Sequence, residues 1–195
     1  MCEVTERQDA RDPASAGPAI PVQDPRVAEV LAWWQGARAG QPLPTRDEIE
    51  PLAFVRTLPL VWLSQYDPRA ETFRFCLAGE EVRANLGVPL RGRSLEAVFP
   101  SARLPHIRAV YSRVVATPAA YHRQGRIYSS MGRVGTGERL MLPLTDRQGQ
   151  AACVLGVTAY VLNVPQPGDG SDQIGFDASA PPARFYPVEG AAPFS

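Results

Sequence analysis

The sequence predicts an α+β fold built on a five-stranded antiparallel sheet. Short helices and one longer connecting helix are expected on one face, and an N-terminal helical segment precedes the sheet. Stretches that match strand patterns occur first as a pair and later as a triplet. Helical patterns precede the pair and also separate it from the triplet. Turn sequences join the strands within each group, which is typical of antiparallel hairpins.

The first helix is predicted to begin at residue 25 and to end near Gly40. Asp24 provides an N-cap acceptor, and Pro25 suits the first helical position. The apolar face comprises Val27, Val30, Leu31 and Trp34, widened by Trp33. A second, shorter helix is predicted over residues 45–56 because it opens with the capping-box sequence TRDE. Pro51 falls inside this helix and is expected to kink or split it.

The first hairpin is predicted over residues 60–66 and 73–78. The first strand is apolar, and the turn dipeptide Asp-Pro follows it. The second strand alternates, and this alternation predicts three apolar side chains on one face: Phe73, Phe75 and Leu77. Short helices are predicted over 80–85 and 94–99.

A longer helix is predicted over residues 103–117, and three strands follow it. Those strands are expected over 121–131, 139–145 and 152–162. We expect residues 132–137 to form a glycine-rich hairpin tip between the first two. The last strand is apolar on both faces, which predicts a central position in the sheet.

The two ends of the chain differ in composition from the middle. Residues 1–24 and 164–195 together hold nine of the 20 prolines and are rich in Ala, Gly, Ser and Asp. Such segments cannot bury enough apolar surface to offset the entropy of ordering, so both are predicted to be disordered. Residues 25–163 then form one domain, in which 25–56 are a helical extension.

Composition excludes several classes of chemistry. All 20 basic residues are arginines, so a Walker-type phosphate lysine and a Schiff-base lysine are both excluded. This usage is typical of a GC-rich, bacterial genome. Zero net charge disfavours a nucleic-acid partner. The sequence lacks an apolar run long enough to cross a membrane and a signal-peptide core, so we expect a cytoplasmic protein without a membrane partner.

No residues with the context of a catalytic or metal site are recognisable, and we do not expect an enzyme. His106 lies at the edge of the long helix's apolar face; we interpret it as partly exposed, with an axial haem ligand as the alternative. His122 is predicted at a rim or on the surface. The segment from Arg91 to Arg126 contains seven arginines but a single acidic residue, Glu96. A solvated face and a surface for an anionic partner are both open interpretations of that segment.

Several local segments are distinctive: the tryptophan pair Trp33 and Trp34, PLPTRDEI at 42–49, LPL at 58–60, FRFCLAG at 73–79 and GVPLRGRSLEAVFP at 87–100. The order of elements resembles a PAS domain, and these segments narrow the resemblance to short, stand-alone bacterial PAS-domain proteins. The resemblance covers residues 25–163. Cys76 departs from it, since family members often have a basic or polar residue there. The predicted tip at 132–137 is also richer in glycine than the resemblance leads us to expect.

The resemblance implies a sensor or adaptor that couples a small ligand, or the state of a partner, to protein–protein interaction in bacterial signalling. A small apolar ligand would lie between the sheet and the helices. The strand alternation and the helix face suggest as its lining Phe73, Phe75, Leu77, Ile107, Tyr111, Leu142 and Val157. Candidates for a homodimer or partner interface are Trp33, Trp34 and Trp62, with core packing as the alternative.

Other functions stay open at this stage. The same large side chains could fill the pocket, which would make the protein a constitutive, ligand-free interaction or dimerisation module. A haem sensor and a small α+β enzyme are the remaining alternatives. A flavin–thiol photoreceptor is not expected, because the helix at 80–85 lacks a neighbouring cysteine. The sequence identifies no cofactor.

Overall fold

The computed structural model describes residues 18–130, 133–163 and 182–191. Its strands are β1 (Val61–Asp67), β2 (Thr72–Ala78), β3 (Ala119–Ser130), β4 (Arg133–Leu144), β5 (Cys153–Asn163) and β6 (Arg184–Pro187). Its helices are α1 (Pro25–Ala37), α2 (Glu80–Leu86), α3 (Leu95–Val98) and α4 (Leu104–Ala116). The strands form one antiparallel sheet in the order β2-β1-β5-β4-β3-β6, so the α+β prediction is confirmed.

Helix α1 begins where the sequence predicts. The Asp24 side chain accepts a hydrogen bond from the Arg26 backbone N–H at 2.9 Å, and Pro25 occupies the first turn. The buried face of α1 packs on β4 and β5, and Trp34 Nε1 donates to the Pro143 carbonyl at 2.9 Å. This bond satisfies a buried polar atom and fixes the helix on the sheet.

The predicted helix over residues 45–56 is replaced by two short 3₁₀ turns, Arg46–Glu48 and Pro51–Phe54. The capping box at Thr45 and Glu48 is present. Pro51 follows only three residues later and has no backbone N–H to donate, so one continuous helix cannot form.

The sheet is covered on both faces, which gives it two separate cores. The core on the α1 side includes Leu140, Leu142, Leu144, Leu155 and Val157. The core on the α4 side includes Trp62, Phe73, Phe75, Tyr111, Tyr121 and Met141. Strand β5 lies between β1 and β4, so the prediction of a central position is confirmed. Two covered faces are the reason that β5 is apolar on both sides over most of its length.

A sixth strand, β6, lies inside the tail that we predicted to be disordered. It pairs with the edge of β3, with Ala120 opposite Tyr186. Phe185 packs edge-on against Tyr121 at 5.2 Å between ring centroids. The Arg113 guanidinium lies 4.5 Å from the centroid of the Phe185 ring. These local contacts offset the cost of ordering that composition predicts for the tail as a whole.

Residues 18–24 are also described, and Ile20 is buried against the α1-side core, so the prediction of disorder is wrong for this stretch as well. The rest of both ends, 1–17, 164–181 and 192–195, lies outside the described residues.

Most of the glycine-rich stretch predicted as a hairpin tip, residues 133–137, lies within a strand, and residue 132 lies outside the described residues. Strand β4 already begins at Arg133, which pairs with Ser130, and Gly137 pairs with Gly125. A Cβ at Gly137 would collide with the backbone of Ala159 on β5. Glycine is therefore required there by the close approach of a neighbouring strand and not by a turn.

Candidate ligand-binding cavity

A cavity of about 510 Å³ lies between α4 and the sheet, bounded also by α2 and by the connection from α3 to α4. Its apolar walls comprise Trp62, Phe75, Val82, Leu86, Val98, Phe99, Pro100, Ala102, Ile107, Val110, Tyr111, Tyr121, Ile127 and Met141. Its polar lining comprises Asn85, Arg103, His106, Arg123 and Arg139. A smaller depression of about 310 Å³ near the β4–β5 turn has only polar and charged side chains around it, and its walls are too polar for an apolar ligand.

The wall formed by Trp62 joins the sheet to α4. Trp62 Nε1 donates to the Tyr111 hydroxyl at 2.9 Å, and both side chains are buried. On β5, Gly156 is the register partner of Trp62, and a Cβ there would collide with the indole ring. The glycine thus provides the space in which the indole lies flat against the sheet. The Phe73 ring packs on Tyr111 at 5.2 Å between centroids.

The basic residues of the lining come from three elements: β3, β4 and the start of α4. Arg123 on β3 is directly opposite Arg139 on β4. The Arg139 Nε–H donates to Thr158 Oγ1 at 2.9 Å, and its guanidinium lies 5.5 Å from the Trp62 ring centroid. Arg103 and His106 are exposed, at the start of α4. Of the described residues that line the cavity, none is Asp or Glu.

The structure places the seven predicted lining residues on both faces of the sheet. Phe75, Ile107 and Tyr111 line the cavity, and Phe73 lies behind Tyr111 on the same face. The prediction is wrong for three residues, which pack on the α1 side: Leu77, Leu142 and Val157.

Two physical causes account for these errors. The register shifts between Leu63 and Ser64, which pair with Leu77 and Phe75 respectively. This shift is a β-bulge, and it reverses the side-chain alternation of β2 between Phe75 and Leu77. In β4 and β5 both faces are apolar, so alternation alone cannot tell which face meets α4.

The three predicted interface tryptophans have different environments. Trp34 is buried under α1, and Trp62 is buried in the cavity wall, so neither indole is accessible to a partner. Trp33 is partly buried, and its ring packs edge-on against Phe54 at 5.6 Å. Alternation did not reveal Trp62 as a lining residue, because its strand is apolar on both sides.

His122 is buried, so the prediction of a rim or surface position is wrong. Its Nε2 lies 2.6 Å from Oε1 of Glu138, which is buried as well. The same carboxylate accepts hydrogen bonds from the backbone N–H groups of Gln23, at 3.1 Å, and Asp24, at 2.6 Å, and from Gln124 at 3.0 Å. Sequence reasoning missed this cluster. The signal was present, since Glu138 falls on the same alternation as Leu140 and Leu142 and must face a core.

The arginine-rich segment 91–126 does not form one surface. Arg103 and Arg123 line the cavity, whereas Arg113 packs on Phe185 and Arg108 pairs with Glu96. Partial burial by itself would raise the pKa of Glu96. Hydrogen bonds from its own backbone N–H and from the side chains of Ser94, Arg108 and Thr72 outweigh this effect and lower the pKa to about 2.

The described part of the chain offers little reactive chemistry. Burial raises the pKa of the Cys153 thiol to about 12, so it is not a nucleophile at neutral pH. Within the described ranges, His, Cys, Asp and Glu do not cluster in groups of three or more that could hold a metal ion. His106, the alternative haem ligand, lies in the cavity lining.

Comparison with known proteins adds one positive finding. A family model described as PAS domain (PAS_5) matches residues 22–159. Neither a curated protein nor a solved structure matches the chain. None of the helices in the described ranges has both the length and the apolar character needed to cross a membrane. Because the family match spans more than half of the chain and agrees with the antiparallel sheet and its connecting helix, the chain belongs to the PAS-domain family.

Proposed function

We propose that this protein is a ligand-responsive sensor or adaptor, in which occupancy of the cavity controls contact with another protein. One observation carries the proposal: the cavity of about 510 Å³ between α4 and the sheet. Its volume lies in the range of small-molecule sites, and its walls are mainly apolar with a few polar groups, as in most such sites. Membership of the PAS-domain family supports a sensory or signalling role in general.

The contacts around the cavity suggest how occupancy would be transmitted. The Trp62–Tyr111 hydrogen bond links the cavity wall to α4, and Arg113 on α4 packs on Phe185 of β6. A ligand that displaces α4 from the sheet would therefore also disturb the edge of the sheet at β6. Such a ligand shifts the equilibrium only by the difference between its affinities for the two arrangements.

Native mass spectrometry of the purified full chain, with a denaturing run alongside, tests the proposal. We expect a mass excess that disappears on denaturation. The variant Ile107→Trp should lose this excess, because a larger side chain enters the cavity from α4. The variant Ala70→Trp, in the exposed turn between β1 and β2, should keep it. An apo mass for the unaltered protein would contradict tight ligand binding.

A second candidate is a ligand-free interaction module, and the surface beside α1 favours it. Leu52 and Val55 are 83% and 57% exposed, next to the Trp33–Phe54 pair. Exposed apolar side chains mark a contact surface where they lie together in one patch. We propose that this patch joins two copies of the chain, with Trp33 at its margin.

Size-exclusion chromatography with light scattering tests this second candidate. A dimer that Leu52→Asp and Val55→Asp convert to monomer, and that Ala70→Asp leaves intact, would support it. A monomer at every concentration, or a dimer that resists both changes, would contradict it.

A further inference from the structure

We infer that the turn at residues 50–55 of one copy docks into the cavity of a second copy, so that copies of the chain join head to tail. Leu52 is the side chain that enters the cavity. The inference rests on the second candidate function, in which the patch formed by Leu52 and Val55 joins two copies. It identifies the surface of the neighbour that receives this patch.

The docking turn presents its apolar side chains on a fixed base. Phe54 is buried in the α1-side core, and its ring packs edge-on against Trp33 at 5.6 Å between centroids. Leu52 and Val55 are 83% and 57% exposed. Side chains three residues apart lie on the same side of a 3₁₀ turn, so these two project together into solvent. Because the turn is already anchored, docking costs little backbone freedom.

The cavity has a rim of apolar side chains that the fold leaves partly exposed. Its deepest walls, such as Trp62 and Tyr121, are already buried within the chain. The rim comprises Leu86, Val98, Phe99, Ile107, Val110 and Ile127. The apolar surface that a neighbour can still cover lies in this rim. Contact between the rim and Leu52 removes apolar surface of both copies from water, which favours association.

The charges beside the two surfaces have opposite signs. Glu50, two residues before Leu52, is exposed, and Arg56 lies at the opposite end of the turn. Arg103 is exposed in the cavity lining, and its carbonyl accepts from the Ile107 backbone N–H at 3.1 Å, one helical turn away. Within the described ranges, neither Glu50 nor Arg103 forms an ion pair. Docking that places Leu52 against Ile107 brings these two charges together, and complementary charges orient the encounter.

The two surfaces lie on opposite sides of the sheet, which determines the kind of assembly. The docking turn packs through Phe54 on the α1-side core, whereas the cavity lies under α4 on the other face. A copy that inserts its turn into a neighbour therefore keeps its own cavity free for a third copy. Such a heterologous contact forms an open chain when it is repeated, or a ring where the rotation closes.

Complementation between two variants of the full chain tests the inference by analytical ultracentrifugation. Leu52→Asp disables the docking turn and leaves the cavity intact, whereas Ile107→Trp fills the cavity and leaves the turn intact. Each variant alone should associate at least roughly tenfold more weakly than the unaltered protein. An equimolar mixture should form a one-to-one dimer and nothing larger, because only one productive contact joins the two variants. Ala70→Asp and Ala70→Trp, in the exposed β1–β2 turn, are the matched controls and should associate normally.

A charge exchange tests the orientation at two exposed positions, where substitution leaves the fold intact. Glu50→Arg and Arg103→Glu should each weaken association roughly twofold to fivefold, the usual range for exposed ion pairs. A chain that carries both changes should regain the affinity, because its turn and its cavity again have opposite charges. The effect of each single change should fall as salt is added. Thermal melting of every variant separates a lost contact from a lost fold.

The possible outcomes separate this inference from the proposed functions. If Leu52→Asp abolishes association and a folded Ile107→Trp does not, the patch joins copies by another route and the inference is refuted. A mixture of the two variants that stays monomeric also refutes it. A monomer of the unaltered protein at every concentration refutes both the inference and the second candidate, and it leaves the ligand-responsive sensor to be decided by native mass spectrometry.

Discussion

Glu138→Gln is expected to destabilise the protein strongly, although Glu138 lies far along the chain from the segment that it binds. Its carboxylate accepts from the backbone N–H groups of Gln23 and Asp24 and from Gln124, and it contacts His122 at 2.6 Å. Glutamine has the same size. One of its two terminal positions becomes an NH₂ group, however, and each position already faces a donor.

The magnitude follows from the burial of the pair. The His122 and Glu138 side chains are 7% and 4% exposed, so solvent cannot replace the lost partner. Leaving a buried donor without its acceptor costs roughly 1–3 kcal/mol, and each oxygen of Glu138 faces more than one donor, so we expect a loss of roughly 3–5 kcal/mol. For a domain of this size that corresponds to a fall in Tm of roughly 10–20 °C. Because Gln23 and Asp24 precede α1, we also expect loss of hydrogen-exchange protection in the first turn of that helix.

Urea denaturation followed by tryptophan fluorescence measures the loss. Glu50→Gln is the matched control, because Glu50 is exposed and makes no side-chain capping bond; it should change stability by less than roughly 0.5 kcal/mol. The double variant His122→Gln with Glu138→Gln should be less unstable than the sum of the two single changes. A Glu138→Gln protein that unfolds at the same urea concentration as the control would refute the reasoning.

Three further changes test other parts of the structure. Gly156→Ala should displace Trp62 towards the cavity, because the added Cβ would collide with the indole ring. We expect a loss of stability of roughly 1–3 kcal/mol, measured by the urea midpoint, and less bound ligand in native mass spectrometry. An unaltered bound mass would contradict this. Cys153 should resist iodoacetamide at pH 8 in the folded protein while the half-buried Cys76 reacts, and peptide mapping that finds the two equally modified would show that burial does not protect it. The folded-state pKa of Glu96 is lowered from 4.5 to about 2, so its contribution to stability is complete above pH 4.5 and is lost as the pH falls towards 2. Glu96→Gln should flatten the dependence of the urea midpoint on pH across that window, and an unchanged slope would contradict the assignment.

The order of helices and strands follows from local features of the chain. A cap such as Asp24 with Pro25 acts within one turn of helix, and the double-sided apolar pattern of β5 reflects its central position directly. The family resemblance rests on the same local signals, and the PAS-domain match over residues 22–159 confirms it. Such features need no knowledge of which distant residues meet.

The cavity could be predicted only in part, because its lining depends on which distant residues meet. Phe75, Ile107 and Tyr111 follow from alternation and from the helix face. Leu142 was misassigned because α1 covers the second face of the sheet, and Leu77 because a bulge in β2 reverses its direction. Alternation identifies which residues share a face, but the packing of helices decides which face lies under α4.

The sequence by itself determined the order of the strands β1 to β5 and of the helices α1 to α4 within residues 25–163, since caps, turns and periodicity act between near neighbours. Only the tertiary structure decided the features on which function depends. Arg123 meets Arg139, His122 meets Glu138, and β6 joins β3 through the pairing register of strands that lie apart in the chain. A shift of one residue in that register would turn each of these side chains to the opposite face, so no local pattern contains the information.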